Sequence, residues 1–117
     1  MAQIADLIRE ILKFRNARDW KQFHLPNHLA SAISIEAAEL QEHFLWKSPA
    51  EVQSLIAEPQ KRAAITEEVA DVLIFTLLLA HELGINPDEA IRSKLEKNAA
   101  KYPVEKARGS AVKYTEL

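Results

Sequence analysis

The 117 residues are 48% hydrophobic and 27% charged, with two Gly and no Cys. That composition suits one domain with a real core and excludes a disordered chain, a disulfide framework and thiolate metal sites. Fifteen basic against seventeen acidic residues leave a net charge of -2, which argues against wrapping a nucleic-acid polymer, since that needs a concentrated basic surface. Residues 1–10 lack the apolar stretch and small-residue cleavage site of a signal peptide. The most apolar run, residues 69–83, is shorter than a membrane span and carries Asp71, His81 and Glu82. A cytoplasmic protein with no membrane partner is expected.

A first helix is predicted over residues 3–18, with Ile4, Leu7, Ile8, Ile11, Leu12 and Phe14 as its apolar stripe. Residues 19–26 break it. A second helix is predicted over residues 27–46, followed by Ser48-Pro49-Ala50-Glu51, which reads as a capping box with Pro at the first helical position. The short third helix this opens ends before Pro59. The fourth runs over residues 60–83 and stops at Gly84, a residue suited to the left-handed position after a helix. Asn86-Pro87-Asp88-Glu89 repeats the capping logic and starts a last helix to Tyr102, where Pro103 ends it. Residues 103–117 read as a polar, extended tail on a domain covering residues 1–102.

The pattern implies an all-α, four-helix-type bundle with an extra short helix. Ten of the twelve residues from 69 to 80 are apolar. A helix that is apolar all round must be covered all round, and a chain this short offers little to cover it with. A homo-oligomer with the fourth helix at its centre is therefore expected, the alternative being a central helix within a monomer.

Two acidic pairs stand at spacing three: Glu36-Ala-Ala-Glu39 on the second helix and Glu68-Val-Ala-Asp71 on the fourth. Residues three apart share a helical face, with Cβ atoms roughly 5–6 Å apart, so each pair can present two carboxylates to one point. Acidic residues on helices usually pair with bases one turn away. Here the neighbours three and four positions off are apolar or acidic, His43 beside Glu39 excepted. Crowded acids in apolar surroundings destabilise a fold unless a cation arrives from elsewhere. Oxygen-only ligation favours Mg²⁺, Mn²⁺ or Ca²⁺; lysines docking from another helix are the alternative. A di-iron centre would want Glu-x-x-His on two helices, and neither acidic pair has a His in that place.

The order Asp19-Trp20-x-x-Phe23-His24, Glu36-x-x-Glu39, Trp46-Lys47, Glu67-Glu68-x-x-Asp71-Val72 and Lys94…Asn98…Lys101-Tyr102-Pro103 resembles the MazG-type nucleotide pyrophosphohydrolases. The likeness is to the small single-domain branch that includes dCTP pyrophosphatases, and it covers nearly the whole chain. Twenty-eight residues separate Glu39 from Glu68, a long spacer for the ExxE…ExxD hallmark. The resemblance implies hydrolysis of a (deoxy)nucleoside triphosphate, dCTP or several dNTPs, to the monophosphate and pyrophosphate. It further implies Mg²⁺, with Mn²⁺ as a substitute, held by Glu36, Glu39, Glu68 and Asp71, and a dimer or dimer of dimers. Glu39 and Glu68 are both open as the base. Lys94, Asn98, Lys101 and Tyr102 are implied in holding phosphates, with Lys47, while Lys97 reads as plain surface. Trp20 and Trp46 are implied in stacking on the base and His24 in touching base or phosphate; His28 and His43 read as structural or exposed. Ile11 stands where some relatives carry a His, which points to a broader deoxynucleotide preference. The contrasting expectation is a catalytically silent oligomeric helical module that binds nucleotide, metal or a protein partner.

Overall fold

Proline sets the helix starts. Pro26, Pro49, Pro59 and Pro87 each open a helix, where the missing N–H goes unneeded and the fixed φ is already helical. The computed structural model describes residues 3–117 and is all-helical over them. It contains α1 (Ile4–Ala17), α2 (Pro26–Glu42), α3 (Pro49–Ala57), α4 (Pro59–Glu82), α5 (Pro87–Lys101) and α6 (Val104–Ala107), with single 3₁₀ turns at Lys21–Phe23 and Tyr114–Glu116. The capping box is real: Glu51 N–H donates to Ser48 Oγ at 3.2 Å, and Ser48 N–H donates to the Glu51 carboxylate at 3.1 Å. Those contacts hold the Glu51 carboxyl below its ordinary range, the Ser48 backbone N–H contributing most. Asn86 caps α5 by accepting from Glu89 N–H at 3.2 Å. Gly84 takes φ 67° and ends α4 as expected.

Two boundaries differ from expectation. The second helix stops at Glu42 and not at Trp46, because the chain tightens through residues 43–46 and Trp46 itself adopts φ 63°, which no helix continues. The tail is not extended: Val104–Ala107 forms a turn of helix behind Pro103, and Gly109 at φ 73° redirects the chain into the last 3₁₀ turn.

The chain clusters into two compact units, one ending at Gly84 and the other spanning Ile85–Leu117. In the first, α2 lies along α4 as the principal helix pair, and α3 and α1 also pack on α4. Among the described residues the buried apolar side chains are Leu29 of α2 and Leu78 of α4, and Arg15 of α1 is buried as well. The apolar surround of α4 is incompletely covered: Val69 is 40% and Leu73 57% exposed. The second unit is built from α5, α6 and the terminal 3₁₀ turn. Among the described residues no helix is long and apolar enough to cross a membrane.

Candidate functional site

The α2–α4 pairing brings the two acidic faces together. Carboxylate oxygens of Glu36 and Glu39 on α2 and Glu68 on α4 all lie within 4.8 Å of one another. Asp71, one turn along α4 from Glu68, is outside that tightest group of three, yet its charge acts on Glu36. Glu39 is exposed, while Glu36, Glu68 and Asp71 are half-buried. One oxygen each of Glu36 and Glu68 is buried with no hydrogen-bond partner. Glu36 is pushed up to about 7, first by burial, then by the Glu39 carboxyl pressed against it, with Asp71 and Glu68 adding to the effect. Among the described residues none of the four acids has a Lys, Arg or His as an ion-pair partner. Lysines docking from another helix of this chain are thus not the answer to the crowding.

Buried acceptors without donors are costly, and here two of them face each other across helices. A divalent cation relieves the burial, the repulsion and the unfilled lone pairs together. The donor set is hard and oxygen-only, which suits Mg²⁺, Mn²⁺ or Ca²⁺ over softer metals. The residues present fit such an ion.

The remaining candidates occupy distinct settings. Trp20 follows Asp19, whose φ is 54°; its ring meets Phe14 edge to face with centroids 5.7 Å apart. The Arg18 guanidinium covers the Phe14 ring at 3.7 Å. Trp46 is 92% exposed in its left-handed backbone conformation, an uncommon placement for a bulky side chain and a mark of constraint. Lys47 beside it is exposed, as are His28, Lys94, Lys97 and Lys101. Asn98 is half-buried; Lys94, Asn98, Lys101 and Tyr102 belong to the second unit.

His24 is half-buried, and its Nδ1 has no hydrogen-bond partner. Burial first, and then the Arg15 charge, lower its basicity, with Glu82 opposing. That Arg15–Glu82 pair escaped the sequence reading. Arg15 Nη1 donates to Glu82 Oε1 at 2.5 Å, tying α1 to α4, and Arg15 is only 2% exposed. The guanidinium also holds Glu82 below the ordinary carboxylate range. A signal was present: Arg15 falls on the stripe of Ile8, Ile11 and Leu12, where a charge must be buried and paired.

Known proteins resemble the chain that carries this site. The MazG-like family model matches residues 31–117. The chain belongs to the MazG-like family. Within that family it is 43% identical over 114 residues to dCTP pyrophosphatase 1 of Rattus norvegicus, an alignment spanning 97% of this chain and 67% of that protein. Against dCTP pyrophosphatase 1 of Homo sapiens the identity is 40% over 114 residues, with the same shares covered. A crystal structure of a pyrophosphatase from Archaeoglobus fulgidus is similar with a TM-score of 0.81 and 40% identity, covering 88% of this chain and 94% of that one. The MazG-like fold is thus that of a pyrophosphatase with which this chain also shares sequence.

Proposed function

We propose that this MazG-like chain hydrolyses deoxynucleoside triphosphates, dCTP among them, to the monophosphate and pyrophosphate, clearing them from the cytoplasmic nucleotide pool. The observation that carries this reading is the convergence of Glu36, Glu39 and Glu68 from two helices, with a buried, unpartnered oxygen on Glu36 and on Glu68, in a chain whose relatives are named dCTP pyrophosphatases. Glu36, Glu39, Glu68 and Asp71 would hold Mg²⁺, which when bound neutralises phosphate oxygens and acidifies water.

The residues of the chain have separate tasks. Glu36, raised to about 7, sheds its proton when positive charge arrives. Glu39, the exposed member, is the carboxylate that accepts the proton of the attacking water. That water's oxygen bonds to the α-phosphorus in line, as the bond to the bridging oxygen breaks and pyrophosphate leaves with its electron pair. Lys94, Asn98, Lys101 and Tyr102 are assigned to the triphosphate with Lys47, and Trp20, Trp46 and His24 to the base. The exposure of Trp46 against its backbone preference supports a ring offered to a ligand. The half-covered apolar faces of α4, with Val69 and Leu73 exposed, support self-association of this chain along that helix.

The test is product analysis. With a panel of dNTPs and Mg²⁺, phosphorus NMR is expected to show monophosphate and pyrophosphate in equal amounts. Orthophosphate release refutes the reaction as written. Nucleotide binding without turnover favours the silent helical module.

A further inference from the structure

The second unit contains a contact that the proposed reaction does not use. Lys101, the last residue of α5, holds its ammonium 4.9 Å from the centroid of the Tyr114 ring. The same ring meets Tyr102 edge to face, with centroids 5.9 Å apart and planes at 79°. The chain returns to α5 because α6 follows directly on Pro103 and Gly109 turns it at φ 73°. Val112 N–H then donates to Ser110 Oγ at 3.3 Å, and the 3₁₀ turn at Tyr114–Glu116 presents the ring.

The choice of partner is chemically specific. Among the described residues Lys101 forms no ion pair, although Glu105 and Glu116 lie in the same unit. A carboxylate partner would neutralise the ammonium. An aromatic face attracts it through the ring quadrupole and brings no opposing charge. The ring thus attracts the lysine without cancelling the positive charge it offers an anion. Ordering it beforehand removes part of the rotamer entropy that a long side chain loses when it grips a ligand.

We infer that Tyr114 is a positioning residue, holding Lys101 ready for a phosphate oxygen of the nucleotide through the face of its ring and not through its hydroxyl. The inference rests on the assignment of Lys101 to the triphosphate. Tyr102 braces the ring from its edge, so the tail serves substrate capture.

Steady-state kinetics with dCTP and Mg²⁺ test it. Tyr114→Leu is expected to raise KM by about two- to five-fold, the size of an exposed cation–π contact, with kcat unchanged; Tyr114→Phe is expected to keep the parent KM. In a Lys101→Ala background, Tyr114→Leu should add nothing. Proton NMR supplies a reading independent of turnover: ring-current shifts of the Lys101 ε-methylene protons should persist in Tyr114→Phe and vanish in Tyr114→Leu. The inference is overturned if Tyr114→Phe behaves like Tyr114→Leu, if the two losses add, or if Lys101→Ala leaves KM unchanged. That last outcome leaves the carboxylate reading intact, because Glu68→Ala tests it separately. Should dCTP not be turned over at all, calorimetric titration with inorganic pyrophosphate still decides: affinity must fall by the same factor in Tyr114→Leu.

Discussion

The first unit contains two carboxylate settings with opposite electrostatics. Glu82, at the end of α4, accepts from the buried Arg15 and is held below the ordinary carboxylate range. Glu36 faces Glu39, Glu68 and Asp71 without a cation and is pushed up to about 7. Both settings join a helix to α4, yet one carries its counter-charge in the chain and the other does not. An acid whose partner is built in stabilises the fold. Acids left without one cost stability and are organised in advance for a cation and for a reaction that uses it.

The largest expected difference between the two settings is in activity. Glu68→Ala should reduce pyrophosphate release by more than about 100-fold, since even residues that only support metal ligands cost 10–100-fold. It should leave the metal-free chain folded by circular dichroism. If it and Asp71→Ala both unfold the chain, the acids serve structure instead. Arg15→Ala should act in the opposite way. Removing one partner of a buried pair destabilises by about 3 kcal/mol, read as a lower urea midpoint.

Adding a divalent cation should come next in size. Mg²⁺ at 100 times its dissociation constant stabilises by about 2.7 kcal/mol, so the Tm of the parent chain should rise with Mg²⁺. In Glu68→Ala this rise should be lost, while Arg15→Ala should keep it. A parent Tm indifferent to Mg²⁺, Mn²⁺ and Ca²⁺ would remove the metal from the account.

The smallest effect is in pH dependence, where the two settings have opposite signs. The lowered Glu82 contributes stability that is present above its unfolded value and lost as pH falls through its folded one. The raised Glu36 binds its proton more tightly in the folded chain. Metal-free stability should therefore decline as pH rises from 4.5 to about 7. Glu36→Gln should flatten that decline and leave the loss in acid unchanged, as followed by urea denaturation across pH.

Much of this architecture was legible locally. Pro26, Pro49, Pro59 and Pro87, the Ser48–Glu51 box, Asn86 and Gly84 mark helix ends through contacts spanning a few residues, and such signals need no tertiary partner. The misread end of α2 also has a local cause, but an invisible one. Nothing in the residue type of Trp46 announces a left-handed backbone, which a bulky side chain rarely adopts. The tail was misread because its fold depends on Tyr114 reaching back to Tyr102 and Lys101.

The sequence by itself determined the first five helices in outline, the spacing that puts Glu36 with Glu39 and Glu68 with Asp71 on shared faces, and the lack of any Lys or Arg one turn away. Only the tertiary structure decided that Glu36, Glu39 and Glu68 meet within 4.8 Å while Asp71 stands one step back, and that Arg15 goes to Glu82 instead of to them. The reason is range: caps and periodicity act over one or two turns of helix, whereas convergence and charge pairing depend on how α1 and α2 pack along α4.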